Sequence, residues 1–364
     1  MKNITIVRKH NGDTSLDSFL IFPKKETFKI LQVTDMHYHG MNFRDKKELK
    51  ELRKFCEKSH VDFVINTGDM FGNRGIRRIK RIMSAFDRYI GSYCPWTFAW
   101  GNHDCENFRK RDFFRKFNKI EQFLEDLPNC YYIKTHKFFE EKIRNNNNQD
   151  QIEKVAFFDP MQRVVSWQKF DGFYGGNFLF KVQNTHNTAI AWNIFILNSR
   201  RWYSLPNVIV QWMQDQVSKQ ENQIPSLAFY HVPNLAYKRI WDRKIAHGIK
   251  RESVCYEKED GRIHTMFKKL RVIKGCFVGH DHVNDYYGEI DGIVYGYGRK
   301  TGRRGYGSGT NVKEPVEVGK KIIQIGAKLI TIYLDNDHAL KNRWEHVTVF
   351  SDGLTWKTKK MITW

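Results

Sequence analysis

No stretch of this 364-residue chain is apolar for long enough to cross a bilayer. The N-terminal MKNITIVRKHNGDTSLDSF has no uninterrupted apolar run behind its basic residues, so neither a signal peptide nor a transit helix is evident. Cysteines stand at 56, 94, 105, 130, 255 and 276, and no two have the close spacing of a zinc knuckle or a redox dithiol. A reduced, cytoplasmic setting is therefore expected, although an even count is also compatible with disulfides. Internal repeats and a convincing linker are lacking too, which argues for one large α/β domain with appendages. Acidic residues are outnumbered: 61 Lys and Arg against 40 Asp and Glu give a formal charge of +21, spread along the whole chain. Such a field attracts nucleic acid, acidic membrane surfaces and phosphorylated substrates, and it equally serves solubility alone.

What is present is a succession of strand and helix patterns, most of the strands ending in chemistry-bearing residues. Residues 1–26 carry turn signals at Asn11-Gly12 and Pro23 and read as an N-terminal arm or hairpin. Phe28 to Val33 is a buried-strand pattern that delivers Thr34, Asp35 and His37 to a loop. Leu49, Leu52, Phe55 and Cys56 recur at helical spacing between 45 and 58, and a strand follows over 61–66. Strand, helix, strand in so short a span is a βαβ crossover, so Asp35 and Asp69 should be neighbours on one edge. A basic amphipathic helix containing Ile76 to Ile90 leads to a strand over 95–100, and a helix is expected from Glu106 to Leu127, ending before Pro128. Residues 140–154 read as an exposed polar insertion loop. Strands are expected near 177–182, 189–197, 226–230, 276–278, 292–297 and 321–334, with a helix over 208–219 and a closing hairpin at Asp352-Gly353.

The polar stretches at these strand ends are Asp35-Met-His37, Gly68-Asp69, Gly101-Asn-His-Asp104, Tyr230-His231 and Gly279-His-Asp-His282. Each alone has an ordinary explanation. A lone histidine after a strand is usually hydrogen-bonded structure, and Gly-Asn-His-Asp suits a turn with a helix cap. Together they deliver carboxylates, imidazoles and one carboxamide to a single rim, the donor types that a pair of hard or borderline cations requires.

The ordered set resembles the calcineurin-like metallophosphoesterase superfamily, whose pattern runs D-x-H, G-D, G-N-H-D/E, H, G-H-x-H. The resemblance covers about residues 28 to 282 and continues less distinctly to about 334. It implies a four-layer metallophosphatase-type β-sandwich, two mixed sheets flanked by helices, with a dinuclear metal site at the strand carboxyl ends. The corresponding division is an arm at 1–26, a metallophosphoesterase domain at 27–335 and a C-terminal β extension at 336–364. It further implies that Asp35, His37 and His282 hold one metal, that Asn102, His231 and His280 hold the other, and that Asp69 bridges them. His103 would reach the substrate, with Asp104 orienting it or capping a helix. The implied activity is hydrolysis of phosphomonoesters, of phosphoproteins or small molecules, by a metal-activated water.

Within the superfamily the purple acid phosphatases are similar, but those with a purple iron centre have D-x-G and a metal-binding tyrosine in G-D-x-x-Y. Here His37 and Gly72 occupy those positions, which implies a colourless centre in which His37 replaces the tyrosinate. The runs 279–288 and 295–307 look like a divergent branch of plants and fungi that keeps D-x-H and lacks the tyrosine. Arg299, Lys300, Arg303 and Arg304 in the second run could meet an anionic substrate, or form a solvated basic loop; His39 could enter the pocket. Oxygen and imidazole ligands admit Fe, Mn or Zn and leave the oligomeric state open. Two alternatives stand beside the monoesterase: a phosphodiesterase or nuclease, favoured by the charge and by Gly-Asp-x-Phe, and a non-catalytic basic scaffold or nucleic-acid-binding protein.

Overall fold

The strands form where apolar runs are short and β-branched or aromatic, and the helices where apolar residues recur every three or four positions. In the computed structural model, the residues described are 4–9, 18–72, 74–104, 113–134, 176–199, 205, 207–220, 222–256, 261–309, 322–334, 343–351 and 356–359. The insertion loop expected at 140–154, the first turns of the helix expected from Glu106, and the turn at Asp352-Gly353 lie outside them.

β1 (Ile4–Lys9) and β2 (Ser18–Pro23) pair antiparallel. β3 (Thr27–Val33), α1 (Phe43–Ser59), β4 (Phe63–Asn66), α2 (Ile76–Phe86) and β5 (Trp96–Phe98) follow. β3 lies parallel to β4, and β4 to β5, so each helix is the crossover between neighbouring parallel strands. The carboxyl ends of all three strands therefore emerge on one edge, which brings the first three polar stretches together.

α1 begins in a capping box: Asp45 N donates to Asn42 Oδ1 at 3.0 Å and Asn42 N to Asp45 Oδ2 at 3.1 Å. It ends at His60, whose left-handed φ of 52° stops the helix. α2 buries Ile79, Ile82, Met83 and Phe86, then continues as a π-helical turn over Asp87–Gly91. There the Asp87 carboxylate accepts a bond from Trp96 Nε1 at 2.9 Å, tying the widened turn to β5.

Next come α3 (Phe113–Asp126), β6 (Phe178–Gln183), β7 (Ile190–Ile196), α4 (Asn207–Ser218) and β8 (Ser226–Phe229). α5 (Leu235–Asp242), β9 (His247–Lys250), α6 (Arg262–Leu270), β10 (Ile273–Val278), β11 (Asn284–Ile290) and β12 (Ile293–Tyr297) complete the second half. The span expected as one strand over 321–334 breaks at Ile325 into β14 (Ile323–Gln324), which pairs with β13 (Ser308–Gly309), and β15 (Gly326–Tyr333). β16 (Trp344–Ser351) and β17 (Trp356–Lys359) form the closing antiparallel pair. The sequence pattern does not announce α5, α6, β9 or β11.

Two mixed sheets result, of nine strands in the order β1-β2-β6-β7-β8-β10-β12-β11-β9 and six in the order β17-β16-β15-β3-β4-β5. Their faces pack together: Phe63 on β4 meets Phe180 on β6 with ring centroids 5.0 Å apart, and Phe277 on β10 meets Trp344 on β16 at 5.8 Å. Burial of a phenylalanine such as Phe63, Phe180 or Phe277 contributes about 1.5–3 kcal/mol relative to exposure. α1 and α2 bury their apolar stripes in the same core, while α4, α5 and α6 cover the other face of the larger sheet through Trp212, Tyr237 and Phe267. Helices thus flank two sheets, as the fold expectation has it. Among the described residues no helix is long and apolar enough to cross a membrane. The described cysteines, Cys56, Cys94, Cys130, Cys255 and Cys276, are not joined in disulfides with one another.

Candidate metal centre

The loop after β3 is laid against the loop after β4 by backbone bonds: Asp35 N to Gly68 O at 3.1 Å, His37 N to Asp69 O at 2.9 Å and Tyr38 N to Met70 O at 2.9 Å. Asp35, His37, Asp69 and His280 all take left-handed φ values, of 53°, 50°, 52° and 76°. A non-glycine residue in that region costs on the order of 1–3 kcal/mol, so its clustering here marks a site where geometry overrides local preference. The glycines of the two longer motifs are needed for close approach. A Cβ at Gly101 would overlap the backbone and carboxylate of Asp69, and one at Gly279 would overlap Thr34 Oγ1.

The side chains converge as the spacing of the motifs predicts. Asp35, His37, Asp69 and His282 each offer a ligand atom within 4.8 Å of the others. His37 Nε2 and His282 Nε2 stand 2.9 Å apart, and His282 Nε2 is 3.4 Å from Asp35 Oδ1. On the other side, Asn102 Oδ1 is 2.9 Å from both His231 Nε2 and His280 Nδ1. Asp69 Oδ2 lies between the groups, 3.7 Å from His37 Nε2 and 3.3 Å from His231 Nε2.

The outer ring nitrogens fix which way the lone pairs point. His231 Nδ1 donates to Thr67 O at 2.7 Å and His282 Nδ1 to Tyr306 O at 3.0 Å. In the neutral rings each Nε2 is then a lone pair, aimed at oxygens that are also acceptors. Asp35 Oδ1, buried, has no hydrogen-bond partner among the described residues. Converging lone pairs with no hydrogen between them fit a cation, or failing that a proton. Burial works to raise the Asp35 and Asp69 carboxyls, but neighbouring imidazoles, His282 for the first and His231 for the second, hold both well below the usual range. His231 shows the converse: burial works to lower it, yet Asp69 and Asp35 push it up to about 10. Burial pushes His37 and His280 down to about 3.

His103 stands at the edge of the cluster. Its backbone N–H donates to Asp69 Oδ1 at 2.8 Å, and its partly exposed ring is 5.5 Å from that of His37. Asp104 has a task that its place beside His103 does not suggest. Its Oδ2 accepts from Asp69 N at 2.9 Å and Gly101 N at 2.8 Å, and its Oδ1 from Phe71 N at 3.2 Å. The carboxylate thereby clamps the Gly-Asp loop to the Gly-Asn-His-Asp loop. Burial and the Asp69 charge push it up to about 7, against the pull of the amide donors. A Cβ on Gly72, where the purple-centre tyrosine would stand, would lie 3.3 Å from His37 Nδ1, so the imidazole stands beside that position.

Neither reading of the basic run after β12, substrate contact or a solvated loop, describes its first two cations. Arg299 is fully buried: Nη1 donates to Asp285 Oδ2 at 2.9 Å and Nε to Gln324 O at 2.6 Å. Asp285 also binds Lys328 Nζ at 2.8 Å, in a network closed between the sheets. A contact between Arg299 and substrate does not fit that burial. Lys300, also buried, donates to Asp35 O at 2.6 Å. Arg303 pairs with Glu48 at 3.5 Å and Arg304 with Asp45 at 3.0 Å, both half-buried against α1. His39 alone among the proposed substrate residues is exposed; burial lowers its pKa somewhat, as do the charges of Arg74, Arg304 and Arg78. Tyr306, which touches His282, carried no sequence signal beyond the glycines on either side.

A family model described as calcineurin-like phosphoesterase matches residues 28–284. Among curated proteins the chain is 26% identical over 321 residues to one from Arabidopsis thaliana named probable inactive purple acid phosphatase 28, covering 79% of this chain and 74% of that one. A second Arabidopsis thaliana protein, probable inactive purple acid phosphatase 29, is 25% identical over 327 residues, covering 79% and 75%. Among solved structures, a dimetal phosphatase from Danio rerio aligns over 91% of this chain and 98% of its own, at 14% identity and a TM-score of 0.44. A purple acid phosphatase from yellow lupin aligns over 91% and 54%, at 11% identity and a TM-score of 0.42.

Proposed function

The chain belongs to the calcineurin-like phosphoesterase family, and on that premise we propose that it is a dinuclear metal-dependent phosphomonoesterase acting on phosphoproteins or small phosphate esters. The observation that carries this reading is the position of Asp69, whose Oδ2 lies within 3.7 Å of His37 Nε2 and 3.3 Å of His231 Nε2. Asp35, His37 and His282 would hold one cation, Asn102, His231 and His280 the second, and Asp69 both. Fe, Mn or Zn bound there would supply Lewis acidity toward phosphate oxygens and an activated water nucleophile.

The residues of the chain divide the remaining work. Asn102 contributes a neutral oxygen, so Asp35 and Asp69 are the only anions in the proposed ligand set, and the centre keeps a net positive charge for an anionic substrate. His103 is held at the edge by the bond from its backbone to Asp69 Oδ1 at 2.8 Å. From there its imidazole delivers a proton to the leaving oxygen or donates a hydrogen bond to the equatorial oxygens. Asp104 acts on neither; it holds Asp69 and Asn102 in register.

The names of the Arabidopsis relatives include the word inactive, which is said of those proteins. Hydrolysis of p-nitrophenyl phosphate and of bis-p-nitrophenyl phosphate by the metal-loaded chain, beside Asp69→Asn, tests the reading. Monoester turnover abolished by Asp69→Asn is the expected result. Preferential cleavage of the diester would establish the nuclease-like alternative that the +21 charge favours. Full metal occupancy without turnover of either ester would leave the non-catalytic scaffold.

A further inference from the structure

Beyond β12 the chain is strapped across the metal-ligand cluster. Thr34 N donates to Thr301 Oγ1 at 3.0 Å and Thr301 N to Thr34 O at 2.9 Å, while Arg303 and Arg304 are anchored on Glu48 and Asp45 of α1. The backbone at Gly305 lies directly on the imidazoles, since a Cβ there would be 3.2 Å from His282 Cε1 and 3.3 Å from His37 Cδ2. Tyr306 follows. Its ring stacks on His282 at 4.1 Å between centroids and 19° between planes, its carbonyl accepts from His282 Nδ1, and its hydroxyl donates to Glu252 Oε2 at 2.9 Å. Glu252 is itself held by Val283 N at 2.9 Å. Despite these ties, 54% of Tyr306 is exposed.

A ring pinned at its hydroxyl and stacked on one face, but open to solvent over half its surface, is a rigid platform beside a reactive site. Rigid aromatics bind flat partners at low entropic cost, and stacked pairs add to simple area burial. Arg299, Arg303 and Arg304 of the same strap pair with acids of the protein and Lys300 with the Asp35 carbonyl, and Tyr306 is its exposed large hydrophobic side chain. We propose that Tyr306 is the specificity-determining residue of the site and forms a leaving-group subsite for phosphate esters of flat aromatic alcohols, such as aryl phosphates or phosphotyrosine. The inference rests on the phosphoesterase reading. The bond changes are those of hydrolysis: water oxygen bonds to phosphorus, the P–O bond to the aryl oxygen breaks, and that oxygen takes a proton.

Binding of non-hydrolysable probes separates the two claims. In calorimetric titration of the metal-loaded full chain, phenylphosphonate should bind about tenfold more tightly than propylphosphonate, about 1.4 kcal/mol. Tyr306→Leu should bring the two within about twofold, while Tyr306→Phe, which keeps the ring without its hydroxyl, should retain the preference. Equal affinities in the unaltered chain, no binding of either probe, or an undiminished preference in Tyr306→Leu would each overturn the proposal. A phenyl preference without turnover of phenyl phosphate would uphold the aromatic subsite and reject the hydrolytic reading.

Discussion

Replacing Asp104 by Asn turns one acceptor into a donor at a buried junction of two loops. If the amide oxygen takes the Oδ2 position it keeps the bonds from Asp69 N and Gly101 N, and the NH₂ then faces Phe71 N, a donor against a donor. One lost bond and one unsatisfied buried N–H amount to about 1–3 kcal/mol of stability, and Asp104→Ala, which strands all of these donors, to roughly two to three times that. Asp69 is held at φ 52° by this clamp, so part of the loss should fall on metal affinity. A loss of 1.4 kcal/mol there is about tenfold. Urea unfolding of the metal-free protein and a metal titration measure the two effects. Turnover at saturating metal should then recover to within a few-fold of the unaltered chain. Unchanged stability and metal affinity, with turnover down a hundredfold or more, would refute the clamp and place Asp104 in proton transfer with His103.

Other consequences follow from the same geometry. His231 is pushed up to about 10 while Asp35 and Asp69 are already ionised, and His37 and His280 are already neutral; metal binding near pH 8 should therefore release a proton from His231 in addition to that of the activated water, measurable by calorimetry in buffers of different ionisation enthalpy as a release that falls in His231→Asn. Because its folded pKa is raised, His231 stabilises the metal-free fold fully below the unfolded value near 6.5 and loses that contribution as pH rises through about 10, so melting curves should show this loss in metal-free protein and not in metal-loaded protein. With Gly72 where the tyrosine would stand, iron-loaded protein should lack the visible tyrosinate absorption. Asp285→Asn leaves Arg299 and Lys328 buried without their anion and should cost about 3–5 kcal/mol in denaturation while metal stoichiometry stays unchanged; a loss of metal with intact stability would show that the network belongs to the site.

The Asp, His and Asn cluster was legible because each of its members follows a short strand, and a strand pattern is written in adjacent residues. A βαβ order then forces Asp35 and Asp69 onto one edge whatever the distant chain does. The rest depends on partners that local sequence does not contain. Asp104 reads as an attendant of its neighbour His103, yet its carboxylate reaches back 35 positions to Asp69 N. Arg299, in a glycine-rich basic run, reads as solvated until Asp285 and the inter-sheet space are known, and Arg304 finds its acid 259 positions away on α1. Tyr306 is one aromatic among many, and only the fold lays it on His282.

Titrating metal into the metal-free chain while following p-nitrophenyl phosphate turnover tests the central claim most directly. The dinuclear account predicts little activity up to one equivalent and a rise that completes at two, with the same course absent in Asp69→Asn. Full turnover at one equivalent, or two bound ions with no turnover at all, would contradict it.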